Sequence, residues 1–244
     1  MKFNISDYRN SLGGQLFGKN IEYINQVKST NDEMWSRIID ENGLIIITDE
    51  QTEGRGRRSN DWFTKKYESL SFSIGIINQN INLLSQKIAI AIAEAIGDIC
   101  DLSPKIKWPN DILINNKKIG GILIEKKNKI TNIGIGLNVN IPYSEFPIKL
   151  RNKMTSLLVE NSQKISREKL LSQIIKTIDH NLILDNESII EKWDSLCAHN
   201  NINIQFHNNN IILKGIFVGI NKTGQAIIKE RNGINYYSTG IIEL

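Results

Sequence analysis

Residues 51–60 read QTEGRGRRSN and set Arg55, Arg57 and Arg58 around Gly54 and Gly56. A guanidinium is a planar, permanently charged fork of donors, and glycine lets a backbone turn sharply and approach a ligand closely. That combination suits a phosphate or a carboxylate. An isolated run of this kind is equally a solvated hairpin loop, with Trp62 and Phe63 as simple anchors.

A second group lies in KWPNDILINNKKIGGILIE, residues 107–125. Pro109 pushes Trp108 towards extended backbone and offers no N–H, so Asn110 and Asp111 are expected at an exposed turn or bulge that opens the next strand. Asp111 is a candidate oxygen ligand for Mg²⁺. A lone Pro-Asn-Asp step also reads as an Asx-turn. Gly120 and Gly121 weaken an otherwise apolar strand, which a nearby ligand or backbone would explain, and Lys118 would then aim an ammonium at that ligand. Asn138 follows Gly134 and Gly136, which leave one strand face bare; a turn-capping role fits it equally well.

The elements that must hold these residues follow from periodicity. Thr30 and Glu33 have capping-box spacing, followed by Met34, Trp35, Ile38 and Ile39 at helical spacing, so a helix is expected from Ser29 or Thr30. GLIIIT (43–48) reads as a buried strand and LSFSIGII (70–77) as an alternating one, which puts the arginine loop between two strands. Leu84, Ile88, Ile92, Ala95, Ile96 and Ile99 mark one face of a helix over 83–100 that covers the sheet. KIKW, DILIN, KIGGILIE and KITNIGIGLNVN are strands joined by short turns, hence antiparallel hairpins. Ser166 is expected to cap a helix carrying Leu170, Leu171, Ile174, Ile175, Ile178 and Leu182, with another over 187–196. After a boundary near Ala198, INIQF, IILKGIFVGI, GQAIIKE and INYY predict a small β-barrel.

The 244 residues carry 30 basic and 26 acidic side chains, and the net +4 is too small and dispersed to mark a nucleic-acid binder. Cys100 and Cys197 belong to no Cys-x-x-Cys or Cys/His pattern, which points away from a disulfide framework or a zinc site and suits a reducing compartment. The sequence has no signal-peptide core and no run near the roughly 20 apolar residues of a membrane span. A cytoplasmic protein without a membrane role is expected.

Taken together and in this order, STN (29–31), QTEGRGRRSNDWF (51–63), KWPNDILINNKKIGGILIE (107–125) and GIGLNVN (134–140) resemble the biotin protein ligases. Each piece is weak alone; GRGRR with KWPND and K-x-x-G-I-L-x-E is specific. The resemblance implies an α+β fold. A mixed, largely antiparallel sheet with helices, of the class II synthetase-like type, would occupy residues 1–197, and an SH3-like barrel 198–244. It also implies a reaction in which biotin and ATP give biotinyl-5′-AMP and pyrophosphate. A lysine on the biotin-acceptor domain of a biotin-dependent carboxylase, such as the carrier protein of acetyl-CoA carboxylase, then takes the biotinyl group. By matching position, Ser29, Thr30, Asn31, Gln51, Gly54, Lys118 and Gly121 would line the biotin site with Arg55 and Arg57. Arg57, Trp62, Lys107, Asn110, Asp111 and Asn138 would serve ATP, Asp111 would hold Mg²⁺, and Arg55, Arg57 and Lys118 would be the catalytic cations.

The chemistry accords with those residue types. Bringing a carboxylate to an α-phosphate joins two anions, and one well-placed donor offsets about 3–4 kcal/mol of such charge development. An acyl adenylate must also be kept from water, so the glycine-hinged stretch from Gln51 to about Lys65 is expected to be mobile without ligand and to close on it. Ser59-Asn60-Asp61 stands where relatives often carry Gly-Arg before the Trp. A lipoate or octanoate ligase would share fold and acyl-transfer logic, but KWPND favours biotin. The STN motif begins at residue 29, which leaves no room for the N-terminal helix-turn-helix of some relatives. A monofunctional ligase is therefore expected, with DNA binding not expected and a homodimer left open.

Overall fold

Three consecutive isoleucines, Ile45, Ile46 and Ile47, stand at 0% exposure in β2 (Leu44–Gln51). Side chains alternate between the faces of a strand, so this run demands cover on both. The computed structural model, which describes residues 1–77, 81–208 and 211–243, supplies it. Ile45 and Ile47 join the large core with Tyr8 and Leu12 of α1 (Ile5–Leu12), whereas Ile46 packs with Ile39 and with Met34 of α2 (Thr30–Trp35).

Around β2 runs a seven-stranded mixed sheet. β1 (Ile21–Val27) pairs with it in parallel, and β3 (Ser69–Ile77) lies antiparallel on its other side. Beyond β3 the order is β7 (Ile130–Asn138), β6 (Lys117–Lys127), β5 (Asp111–Ile114) and β4 (Lys105–Lys107), each antiparallel to its neighbour. The predicted hairpins are thus present, and strands far apart in sequence meet where β3 pairs with β7.

The helical layer is built from α3 (Leu84–Cys100), α5 (Arg167–Ile183) and α1, with α6 (Asn186–Leu196) against α3 and the short α4 (Leu157–Asn161) preceding α5. Ile88, Ile92 and Ile96 of α3, and Leu170, Leu171, Ile174, Ile175 and Ile178 of α5, are fully buried. Each such side chain is worth about 1.5–3 kcal/mol over leaving it in water. Ser166 caps α5 by accepting from the Lys169 N–H at 3.3 Å. Lys87 Nζ donates to the carbonyls of Leu182 (2.9 Å) and Leu184 (2.7 Å), closing the far end of that helix.

A second, antiparallel sheet follows, consistent with the SH3-like expectation: β8 (Asn203–Asn208), β9 (Ile211–Ile220), β10 (Ala226–Glu230), β11 (Gly233–Tyr237) and β12 (Ile241–Glu243), ordered β11-β10-β9-β8-β12. Its inward side chains Phe206, Phe217, Ile228 and Ile242 belong to the same core as the main sheet. Two tryptophans make the join: Trp108 lies 6.0 Å from Phe206 and Trp193 6.0 Å from Phe217, ring centre to ring centre.

Several expectations are corrected. Thr30 is the first residue of α2 rather than a capping-box N-cap; Ser29 holds the cap position without a side-chain cap bond, and the Thr30 hydroxyl serves Gln51 instead. The helix stops at Trp35, so Ile38, assigned to its apolar face, is 90% exposed. Asp111 opens β5 as predicted but is half-buried rather than exposed, after a cis Trp108–Pro109 bond. Periodicity gave no sign of α1, β1, α4 or the three-residue β12.

Candidate functional site

The site begins as a bare strip on β6 and β7. A Cβ at Gly134 would overlap the Asn31 side chain, and one at Gly136 would overlap the Trp62 indole. These two glycines therefore receive side chains from α2 and from the arginine loop. A Cβ added at Gly121 would meet the end of Lys118 at 3.4 Å and Asp111 Oδ1 at 3.7 Å. Gly120 differs: a Cβ there would strike Leu137, so strand packing explains it and no ligand is needed.

Over this strip lies a cavity of ≈ 230 Å³. One end is a neutral polar network. Gln51 Oε1 accepts from the Thr30 N–H at 2.8 Å and the Thr30 hydroxyl at 3.2 Å, which fixes the amide and leaves Nε2, beside Gly54, without a hydrogen bond among the described residues. Behind them the fully buried Ser73 hydroxyl sits 2.9 Å from Thr30 Oγ1 and 2.7 Å from Asn31 Oδ1. Asn31 Nδ2 donates to Glu125 Oε2 at 3.0 Å, so both ends of its amide are already engaged within the protein.

The arginine loop is a small hairpin. Trp62 N–H donates to the Gly54 carbonyl at 2.8 Å, Gly56 N–H to the Asn60 carbonyl at 2.7 Å, and Arg58 makes the turn at φ +55. Gly54 is required here: a Cβ would come within 2.8 Å of the Trp62 carbonyl oxygen. The three arginines are treated differently. Arg55 pairs with Asp32 at 2.5 Å and Glu125 at 3.2 Å. Arg57 has no carboxylate partner among the described residues; it donates to Asn110 Oδ1 at 3.2 Å and to Thr239 Oγ1 at 3.1 Å. Burial, and next the charge of Arg58, press its guanidinium below its ordinary value, against a weaker pull from Asp111. A desolvated cation of this kind interacts strongly with an anion that reaches it.

At the other end Asn110 is locked to β6, with Nδ2 donating to the Ile122 carbonyl at 2.8 Å and the Ile122 N–H returning to its own carbonyl at 3.0 Å. Lys118 Nζ lies 2.6 Å from Asp111 Oδ1 and 5.4 Å from the centre of the Trp62 ring. Burial lowers the Lys107 ammonium from its usual range, with Asp111 acting to restore it. No group of three or more His, Cys, Asp or Glu residues that could hold a metal occurs among the described residues.

Of the residues singled out by sequence, Ser29, Thr30, Asn31, Gln51, Arg55, Arg57, Trp62, Lys107, Asn110, Asp111, Lys118 and Gly121 share the wall of this one cavity. Gly54 backs Gln51 from outside it. Asn138 is not on the wall: it is fully buried and donates to the Thr155 carbonyl at 3.0 Å. Sequence reading missed Ser73 behind the network, Asp32 and Glu125 on Arg55, and Thr239 to Ile242 from the C-terminal sheet. Alternation along β3 put Ser73 among its small residues; nothing marked Thr239.

The arrangement offers neutral donors at one end, unneutralised cations in the middle and an Asn-Asp-Lys group at the other, and it suits a ligand with a polar head and an anionic centre. The model of the Biotin/lipoate A/B protein ligase family matches residues 23–140. The bifunctional ligase/repressor BirA of Bacillus subtilis is 28% identical over 260 aligned positions, covering 100% of this chain and 79% of that protein. A biotin–acetyl-CoA-carboxylase ligase of Mycobacterium tuberculosis is 26% identical over 189, covering 71% and 70%. Among solved structures, biotin protein ligase from Aquifex aeolicus in complex with biotin and ATP superposes with a TM-score of 0.81 at 27% identity, covering 92% of this chain and 98% of that one.

Proposed function

We propose that the chain is a member of the biotin/lipoate A/B protein ligase family, and that its cavity joins biotin to a protein lysine at the expense of ATP. The observation that carries the reading is that Arg57, a cation without a carboxylate partner among the described residues, shares one cavity with the Thr30–Gln51 network and with the Asn110–Asp111–Lys118 group, which adds a second cation. The carboxylate of an acid seated against that network reaches the cations, and the phosphates of a nucleotide over Asn110 and Asp111 reach them from the other side.

In the first half-reaction a biotin carboxylate oxygen attacks the α-phosphorus, the new P–O bond forms, and the bond to pyrophosphate breaks. Arg57 and Lys118 lower the repulsion between the two anions and stabilise the charge that develops, an effect of positioning and electrostatics that needs no side-chain nucleophile. In the second, the neutral amine of an acceptor lysine attacks the acyl carbon, AMP leaves with the electron pair of the C–O bond, and the amine loses a proton. Trp62, laid over Gly136, shields this region from water.

Asp111 is a single carboxylate, which suits a Mg²⁺ that arrives with the nucleotide and is completed by phosphate oxygens. Bound there, it would supply further charge neutralisation. The acceptor we infer is the carrier domain of a biotin-dependent carboxylase, and the setting the cytoplasm; among the described residues no helix is long and apolar enough to cross a membrane.

The deciding measurement is exchange of labelled pyrophosphate into ATP, dependent on both biotin and magnesium, with lipoate as control acid. Biotin should support exchange and lipoate should not. Exchange with lipoate alone would transfer the reading to the other branch of the family.

A further inference from the structure

Arg57 Nη2 donates at 3.1 Å to the hydroxyl of Thr239, a residue 182 positions away on the turn leading into β12. We propose that Thr239 is a positioning residue for adenylate formation, so that the C-terminal sheet sets the aim of the loop's central cation. The proposal rests on the functional reading above and adds a residue that reading does not contain.

Arg55 is held by two carboxylates, whereas among the described residues Arg57 has only neutral acceptors. A hydroxyl and an amide oxygen can fix a guanidinium plane without cancelling its charge, which a carboxylate would do. Two of the five guanidinium donors are used on Asn110 and Thr239, and three remain for an anion. Asn110 is clamped to β6, so the second point of attachment decides whether the fork is fixed or swings about the first.

The support behind Thr239 is firm. Ser238 Oγ accepts from Gln225 Nε2 at 2.8 Å, and Gln225 N–H in turn donates to Asn221 Oδ1 at 3.0 Å. Gly240 presses so closely on Phe206 that a Cβ would overlap the ring, and Gly240, Ile241 and Ile242 themselves line the cavity. The same sheet grips the Lys107–Asp111 segment at a second point: Trp108 Nε1 donates to the Gly224 carbonyl at 3.1 Å, joined by Gln86 Nε2 at 3.4 Å. The fork and the Asn110–Asp111 pair are therefore referenced to one rigid body.

The test compares the wild-type chain with Thr239→Ala and Thr239→Ser in biotin-dependent pyrophosphate exchange. Thr239→Ala should lower kcat/KM for ATP about three- to tenfold, the effect of one hydrogen bond, with KM for biotin and the thermal midpoint unchanged, and Thr239→Ser should restore it. A wild-type rate in Thr239→Ala, or failure of serine to rescue, would overturn the proposal. Tryptic cleavage after Arg57 in the ligand-free chain gives a readout that needs no catalysis: severalfold faster cutting in Thr239→Ala is expected, and equal rates would also overturn it. Absence of exchange in the wild type would count against the functional reading, and the cleavage rates would still decide the role of Thr239.

Discussion

Arg167 Nη1 lies 2.8 Å from Asp49 Oδ1, with the two side chains only 4% and 0% exposed. Asp49 Oδ2 accepts from the Tyr23 hydroxyl at 2.6 Å and the Phe3 N–H at 3.3 Å, Arg167 donates to the carbonyls of Ser69 at 3.1 Å and Met1 at 2.6 Å, and Asp49 Oδ1 has the guanidinium charge as its partner rather than a hydrogen bond. The pair binds the start of the chain and the start of α5 to β2. Removing one partner strands a buried charge, so Arg167→Ala should lose about 3–5 kcal/mol in urea denaturation. Adding Asp49→Asn should recover part of that loss; a strictly additive double variant would count against a coupled pair.

Lys118 and Asp111 neutralise one another at 2.6 Å. Lys118→Ala removes the cation beside Gly121 and leaves Asp111 as a bare anion facing the phosphates. Pyrophosphate exchange should fall about 10²–10³-fold in kcat, the cost of a lost transition-state donor. Asp111→Asn should instead raise the magnesium concentration needed for half-maximal exchange, and an unchanged magnesium titration would remove Asp111 from the metal assignment.

Arg57 faces the cavity without a carboxylate partner among the described residues. Its charge should retain biotinyl-AMP as well as help form it. Arg57→Gly is expected to release activated biotin and label bystander proteins such as serum albumin, read on a streptavidin blot. A variant that keeps wild-type acceptor selectivity would refute retention.

The Asn31 amide fills the place of a side chain at Gly134. Gly134→Ala should displace Asn31 and, through Ser73, the Thr30–Gln51 pair, weakening biotin binding at least tenfold by calorimetry, about 1.4 kcal/mol. Gly13→Ala, where nothing lies within 4 Å of the added Cβ but φ is +68, serves as a control for backbone strain alone.

His199 is fully buried against Phe217, with ring centres 4.3 Å apart, and burial, aided by Lys107, pushes its imidazole down to about 3. The unfolded chain takes up a proton near 6.5 that the folded one refuses until about 3. Between those values stability rises with pH, and each unit of acidification should cost up to about 1.4 kcal/mol. His199→Phe should flatten that part of the stability profile; an unaltered slope would place the acid sensitivity elsewhere.

The sequence made β2 to β7 readable because their apolar runs and Asn-rich turns are local signals, and it made most of the cavity wall readable because the motifs are contiguous. What it hid depends on pairing across the fold. α1 and β1 have mixed polarity and are recognised only by what they cover: Tyr8 is fully buried, while β1 alternates weakly along a sheet edge. Thr30 and Glu33 fit a local capping rule that a tertiary bond to Gln51 overrides. Asn138 has the residue type of a ligand contact yet is spent on the Thr155 carbonyl. Thr239 is one exposed threonine until Arg57 is set beside it in space.

The uneven treatment of the cavity's cations also bears on the order in which substrates arrive. Arg55 is offset by Asp32 and Glu125 and Lys118 by Asp111, whereas Arg57, Arg58 and Lys107 have no ion pair among the described residues. The mouth thus keeps a surplus positive potential that draws a multiply charged nucleotide far more than a monocarboxylic acid. Encounter with the nucleotide should slow as ionic strength rises, because screening at about 8 Å in physiological salt removes its longer-range pull, while capture of the acid scarcely changes. Rising ionic strength should therefore narrow the advantage in capture rate that the nucleotide holds over the acid.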